Sequence, residues 1–203
     1  MRYFITGTDT DVGKTVACAW AMLHTRARYW KPVQAGLDET DEATIRALTE
    51  AGDERFIATT YSLPEPLSPH EAAKRAGVVI EMDNFKLPND DGPLIVEGAG
   101  GLMVPLNDKS LVIDLIVQFG LLAILVCRTE LGTINHSLLS LEALRARNIP
   151  VAGVILNGPD VPHNRAAIET YGKVRIIGHI PPLEPLTRKT LEAVPLELDL
   201  LSL

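Results

Sequence analysis

The segment that most limits the fold lies at the N-terminus. An apolar run, Tyr3 to Thr6, opens into GTDTDVGKT, Gly7 to Thr15, and a helical pattern then continues to about Thr25. A glycine-bounded loop between a strand and a helix turns its backbone N–H groups, and the positive end of the helix, toward an anion. Lys14 is expected to reach the β- and γ-phosphates of a nucleotide, and the Thr15 hydroxyl to ligate Mg²⁺. The loop departs from the usual form. Five residues separate Gly7 from Gly13 where four are usual, and Thr8 stands at the usual place of a glycine.

The rest of the chain repeats the strand–helix unit. Strands are predicted at Tyr3 to Thr6, Tyr29 to Val33, Leu94 to Glu97, Leu121 to Cys127, Val151 to Asn157 and Val174 to Ile180. They are nearly continuous in hydrophobicity, as strands covered on both faces are. Helices are predicted from Gly13 to Thr25, over Glu39 to Ala51, Ser110 to Phe119, Thr133 to before Pro150, and about Asn164 to Tyr171. This alternation implies an α/β fold of the P-loop NTPase type, a mostly parallel sheet with helices on both faces, in one domain spanning 1–203. Ligands of such sheets sit at the C-terminal ends of the strands. Ser62 to Pro69 and Asp83 to Pro93 are expected as surface loops. Leucine-rich Leu191 to Leu203 has too weak a period to place.

Partners are narrowed by charge and hydropathy. A net charge of −7 gives no basic patch for nucleic acid or an anionic membrane. The longest apolar run, Leu121 to Cys127, is too short to span a bilayer. The N-terminus reads as a strand rather than a secretion signal, so a cytoplasmic enzyme is expected. Cys18 and Cys127 form no CxxC pair and are expected to be small buried hydrophobes. His70 and His136 lack second ligands at metal spacing and are expected to serve structure.

Three further residues bear on the phosphate chemistry. Glu97 ends LIVE and precedes GAGG, a carboxylate leaving a buried strand where a magnesium ligand would stand; a solvated turn glutamate is the alternative. Asp41 opens a helix, where it is either a metal ligand or an acid favoured by the helix dipole. Lys31, in YWKPV, is either a surface lysine or a clamp on the transferred group.

Six blocks, taken together and in order, identify a resemblance. They are GTDTDVGKT (7–15), KPVQAG (31–36), PLSPHEAA (66–73), VEGAGGLMVPL (96–106), LGTINHSLLSLEALR (131–145) and GVILNG (153–158). The chain resembles the dethiobiotin synthetases. The resemblance implies an ATP- and Mg²⁺-dependent cyclo-ligase acting on 7,8-diaminononanoate and CO₂ or bicarbonate. A carbamate on one amine is phosphorylated by ATP, and the second amine then closes the ureido ring.

Carried onto this chain, the resemblance makes Lys31 and Lys14 catalytic. Thr15, Asp41 and Glu97 become ligands of Mg²⁺, and Thr10, Asp11, Val12, Gly13, Lys14, Thr15 and Val16 the phosphate loop. Asn157, with Gly158 after it, reads the adenine edge beside Pro181, Pro182 and Leu183. Thr10, Lys31 and Ala35 face the diamine. The resemblance further implies a homodimer in which Gly132, Thr133, Ile134 and Asn135 hold the substrate's carboxylate tail across the twofold axis. Thr133 is a candidate N-cap there, which would leave backbone N–H groups free for the anion. Two positions depart from the family pattern: Ala35 replaces a frequent Ser or Thr, and Asp11 a frequent Glu. A partition-type ATPase would want an early second lysine in the loop, and a kinase an arginine-bearing lid. A glutamine-dependent amidoligase would need a further domain.

Overall fold

The computed structural model describes residues 1–197; residues 198–203, which complete the leucine-rich segment, lie outside the described residues. Seven strands form one parallel sheet. They are β1 (Arg2–Gly7), β2 (Arg28–Trp30), β4 (Phe56–Ile57), β6 (Leu94–Gly101), β7 (Leu122–Arg128), β8 (Val151–Asn157) and β9 (Ile176–Ile180). Their spatial order is β4-β2-β6-β1-β7-β8-β9. β1 therefore lies mid-sheet, between β6 and β7, with Ile5 level with Glu97 and Ile124.

Both faces are covered, as near-continuous apolar strands require. Along β1, Tyr3 and Ile5 join one core and Phe4 the other. The first core packs α1 (Lys14–Thr25), α2 (Asp41–Thr49) and the short α7 (Arg188–Glu192). α4 (Val112–Phe119), α5 (Thr133–Ala146) and α6 (Pro162–Gly172) cover the opposite face. α2 starts on Thr40, whose side chain accepts from Ala43 N–H and satisfies one amide of the first turn. Trp20 on α1 is buried in the first core, and Trp30 on β2 in the second.

Three expectations change. The strand predicted over Tyr29 to Val33 stops at Trp30, and Val33 begins β3 (Val33–Ala35) in a separate two-stranded parallel sheet with β5 (Tyr61–Leu63). Pro32 has no N–H for a ladder, so the chain leaves the main sheet there. Ser62 to Pro69 is only partly a loop, because β5 begins just before it and α3 (Pro69–Arg75) starts at its last residue. Proline suits a first helical position, where its missing N–H has no intrahelical acceptor in any case. The segment from Leu191 also finds a place: Leu191 and Val194 join the first core, and Val194 O accepts from Trp20 Nε1 at 2.9 Å. Asp83 to Pro93 is largely loop, as expected, although Phe85 is buried. Cys18 and Cys127 are free and buried, as expected.

The Trp20 indole abuts β9 at Gly178. A Cβ added at Gly178 would stand 2.4 Å from the ring carbon Cη2 and 3.0 Å from Cζ2. A methyl group there must displace a fully buried indole, and overpacking of this kind costs about 1–3 kcal/mol. Gly178→Ala is expected to lower the unfolding free energy by that amount, read as a lower urea midpoint at unchanged slope; an unchanged midpoint would contradict this packing.

Candidate active site

Strand order brings the site together. β2, β6 and β1 are neighbours, so Lys31, Glu97 and the loop after β1 all emerge at one edge. Trp30 is paired with Val96, which sets Lys31 beside Glu97. Lys31 Nζ contacts Asp41 Oδ2 at 2.7 Å and Glu97 Oε1 at 3.1 Å, and donates to Gly98 O at 3.0 Å. The three contacts match the three protons of an ammonium. Thr15 Oγ1 lies 2.7 Å from Asp41 Oδ1 and 3.1 Å from Glu97 Oε1. Thr15, Lys31, Asp41 and Glu97 thus form one cluster although 82 positions separate Thr15 from Glu97. Glu97 is 1% exposed and Lys31 4%, so each charge depends on the other. The two open alternatives for Lys31 and Glu97, surface lysine and solvated turn acid, are excluded by this burial.

The electrostatics follow the geometry. Burial alone would pull Lys31 down, but attraction to Glu97 and Asp41 outweighs it and holds the ammonium above its ordinary value. Burial would push Asp41 up, but Lys31 and the Thr15 hydrogen bond keep its carboxyl below the usual range. Lys14 is lowered by burial and by the nearby Lys31. Burial, then Glu97, pushes both the Tyr29 phenol and the Cys18 thiol well up. The Tyr29 hydroxyl donates to Glu97 Oε2 at 2.8 Å.

The phosphate loop is braced from several sides. Gly13, the residue before α1, has φ +91°, and a Cβ there would meet Asn157 Nδ2 at 2.1 Å, so only glycine fits. Asn157 Nδ2 donates to Val12 O at 3.2 Å and ties the end of β8 to the loop. Lys14 Nζ curls back to Asp9 O at 2.9 Å. Asp9 accepts from Thr10 N through Oδ1 and from Arg128 Nη2 through Oδ2. Thr10 and Asp11 are exposed, Val12 is buried, and Val16 packs on the first core.

The other expected residues are distributed along the same edge. Gly158 N donates to Ile180 O at 2.9 Å, so Asn157 and Gly158 adjoin the segment Pro181 to Leu183, in which Pro181 and Pro182 are exposed. Ala35 ends β3 half-buried. The cap of α5 is Gly132 rather than Thr133, in a left-handed conformation. Thr133 is instead the first helical residue and is buried: its N–H donates to Glu130 O and its hydroxyl to Arg128 O, so it does not serve as a free anion donor. Ile134 and Asn135 follow in the first turn, Asn135 exposed. His70 and His136 are exposed and belong to neither core.

Several site residues escaped the sequence reading. Tyr29 stands two positions before Lys31, a spacing that sets both on one face of an extended chain. Cys18 is three positions after Thr15 on one side of α1. Gln34 accepts from Asp41 N–H at 3.2 Å and donates to the carbonyls of Ala35 and Gly36. Nothing local in sequence announces the Gln34 and Arg128 contacts.

Among the described residues, no three His, Cys, Asp or Glu side chains group as a metal site. Two carboxylates and a hydroxyl, all hard oxygen donors, nevertheless suit Mg²⁺, which keeps several waters and takes few protein ligands. The chemistry available is an anion cradle, a buried ammonium and a hard-oxygen cluster within one contact network.

A family model described as an AAA domain matches residues 1–190. The ATP-dependent dethiobiotin synthetase BioD of Paramagnetospirillum magneticum is 49% identical over 193 residues, 95% of this chain and 93% of that protein. BioD of Rhodopseudomonas palustris is 48% identical over 193 residues, covering 95% and 92%. The biotin biosynthesis bifunctional protein BioCD of Bordetella avium is 50% identical over 183 residues, covering 89% of this chain and 39% of that one. Among solved structures, a ParA family ATPase from Chlorobium tepidum aligns with TM-score 0.58 at 13% identity, over 94% of this chain and 88% of that one. The MinC:MinD cell division complex of Aquifex aeolicus aligns with TM-score 0.53 at 16% identity, over 93% and 85%. At such identities the likeness concerns the fold alone. With near-complete coverage at close to half identity, the chain belongs to the family of ATP-dependent dethiobiotin synthetases.

Proposed function

We propose that this protein closes the ureido ring of dethiobiotin from 7,8-diaminononanoate, CO₂ and ATP. The observation that carries the reading is Lys31, buried between Asp41 and Glu97 and joined through them to Thr15 at the head of the phosphate loop. One amine of the substrate adds to CO₂ and loses a proton, giving a carbamate. A carbamate oxygen attacks the γ-phosphorus and ADP departs. The second amine then attacks the carbonyl carbon of the mixed anhydride and expels phosphate. The carbamate oxygen is a poor leaving group until phosphorylated, and the closure, being intramolecular, gains from proximity.

In this reading the Lys31 ammonium faces the carbamate oxygens, and Lys14, released from Asp9 O, follows the phosphate charge. Mg²⁺ held by Thr15, Asp41 and Glu97 would neutralise charge on the β- and γ-phosphates. Thr10 to Val16 cradle the phosphates. Asn157, Gly158 and Pro181 to Leu183 border the adenine, supported by the hydrogen bond that joins the ends of β8 and β9. Thr10 and Ala35 border the diamine. A cytosolic setting belongs to the same reading; no helix among the described residues is long and apolar enough to cross a membrane.

The active unit is a homodimer in this proposal, with the segment Gly132 to Asn135 at the partner substrate's carboxylate and its receiving groups on Gly132, Ile134 and Asn135, since both donors of Thr133 are used internally. Exposed Met103, Leu131 and Leu139 support an interface there. A shallow cavity of about 340 Å³ lies between Thr8 and Asp9 of the loop and Leu139 and Ala143 of α5. The open amides of Ile134 and Asn135 in the first turn of α5 suit a carboxylate.

ADP release is expected only when both 7,8-diaminononanoate and bicarbonate are supplied, with dethiobiotin appearing by mass spectrometry; turnover that ignores the diamine would overturn the reading. Lys31→Ala and Lys14→Ala should each lower kcat by roughly 10²-fold or more, as loss of one oriented charge typically does. Lys31→Ala also strands the Glu97 charge, at a cost of about 3–5 kcal/mol, so its unfolding must be measured alongside its rate. Near wild-type turnover in folded Lys31→Ala would remove Lys31 from the mechanism. Light scattering should give twice the chain mass at working concentration; a fully active monomer would refute the shared site.

A further inference from the structure

Glu97 divides its oxygens between two directions. Oε1 faces Thr15 and Lys31, each at 3.1 Å. Oε2 points away from them and accepts from the Tyr29 hydroxyl at 2.8 Å. A carboxylate's last torsion is soft and roughly twofold, so nothing in the glutamate itself fixes which way its oxygens face. Tyr29 is held firmly. It is fully buried, its backbone is paired with Phe56 on one side and Ile95 on the other, and its ring meets Phe56 edge-on at 6.1 Å between centroids. The Phe56 ring is itself covered, since the Arg46 guanidinium sits 3.8 Å from its centre. The phenol is therefore a fixed donor on a rigid strand, aimed at a carboxylate that water does not reach.

We propose that Tyr29 is a positioning residue for Glu97: its hydroxyl pins Oε2, so that Oε1 faces Thr15 and Lys31, and it thereby sets how tightly the site holds a divalent cation with its nucleotide. The proposal rests on the reading of Glu97 as a metal ligand. Carboxylate ligands are themselves hydrogen-bonded by neighbouring groups, and loss of such a partner typically costs 10–100-fold in metal affinity or activity. The Asp41 carboxylate shares Thr15 and Lys31 with Glu97, while Gln34 fixes the Asp41 backbone N–H; the Tyr29 hydroxyl contacts Glu97 alone of the two carboxylates.

The test is Tyr29→Phe, which removes one oxygen and keeps the ring in the core. Mn²⁺ binding is measured by electron paramagnetic resonance on the full chain with a non-hydrolysable ATP analogue. Phe56→Leu serves as a packing control and Glu97→Gln as a ligand control. Tyr29→Phe is expected to weaken Mn²⁺ about 10-fold or more, and to raise the Mg²⁺ concentration for half-maximal turnover by the same factor. Affinity for the analogue without metal should stay the same. Phe56→Leu is expected to lower the melting temperature and leave Mn²⁺ binding within about twofold of wild type, a change worth only a few tenths of a kcal/mol. Wild-type Mn²⁺ affinity in Tyr29→Phe, with Glu97→Gln weakened, would overturn the role of Tyr29 alone. Equal weakening in Phe56→Leu would assign the effect to packing and also overturn it. Wild-type affinity in Glu97→Gln would overturn the ligand reading beneath the proposal.

Discussion

A carboxylate midway along a central strand, almost wholly removed from water, organises this protein. Transferring an ionised group from water to the interior costs several kcal/mol even after relaxation, and it is tolerated only with partners in good geometry. Glu97 has Thr15 from α1, Tyr29 from β2 and Lys31 just beyond the end of β2. Lys31 is nearly as buried and brings Asp41 into the network, so α2 is tied to the same point. The adjacency of β2, β6 and β1 is thus required by charge as well as by apolar packing.

The phosphate loop depends on that arrangement. Its far end is anchored by Thr15, which touches both carboxylates, and its tip by Asp9, which meets Thr10, Lys14 and Arg128. Asn157 fills the space that glycine leaves at position 13. The loop is held from β6, β7 and β8 at once, and its amides are pre-aimed by neighbours rather than by its own sequence. Preorganisation of this kind lets fixed dipoles stabilise developing charge without reorganising during reaction.

Much of the fold was legible because buried parallel strands leave continuous apolar runs, and six of the seven main-sheet strands do so. The small sheet was not: β3 and β5 are three residues each, next to Pro32 and a proline-rich stretch, too short for any period to register. Lys14 and Thr15 were legible from the loop alone. Asp41 was not separable from an ordinary helix-opening acid, because its meeting with Thr15 spans 26 positions and depends on how α2 docks. Tyr29 reads in sequence as one more aromatic in a buried strand, and its hydroxyl gains meaning only opposite Glu97. The cap of α5 was misjudged by one residue: threonine favours such positions in general, but here its hydroxyl reaches back to Arg128 O, and a left-handed glycine takes the cap.

The two tryptophans sit on opposite sides of the main sheet, Trp20 in the core beneath α1 and Trp30 in the core beneath α4. Each layer therefore carries its own intrinsic fluorophore. Emission followed during unfolding sums two separate environments. One indole is hydrogen-bonded to Val194 O through its ring nitrogen; the other lies among Phe4, Phe119 and aliphatic side chains, with its ring centre 5.4 Å from that of Phe119. Single-tryptophan versions of the chain would resolve the melting of one layer from that of the other, with β6 and its buried carboxylate as the seam between them.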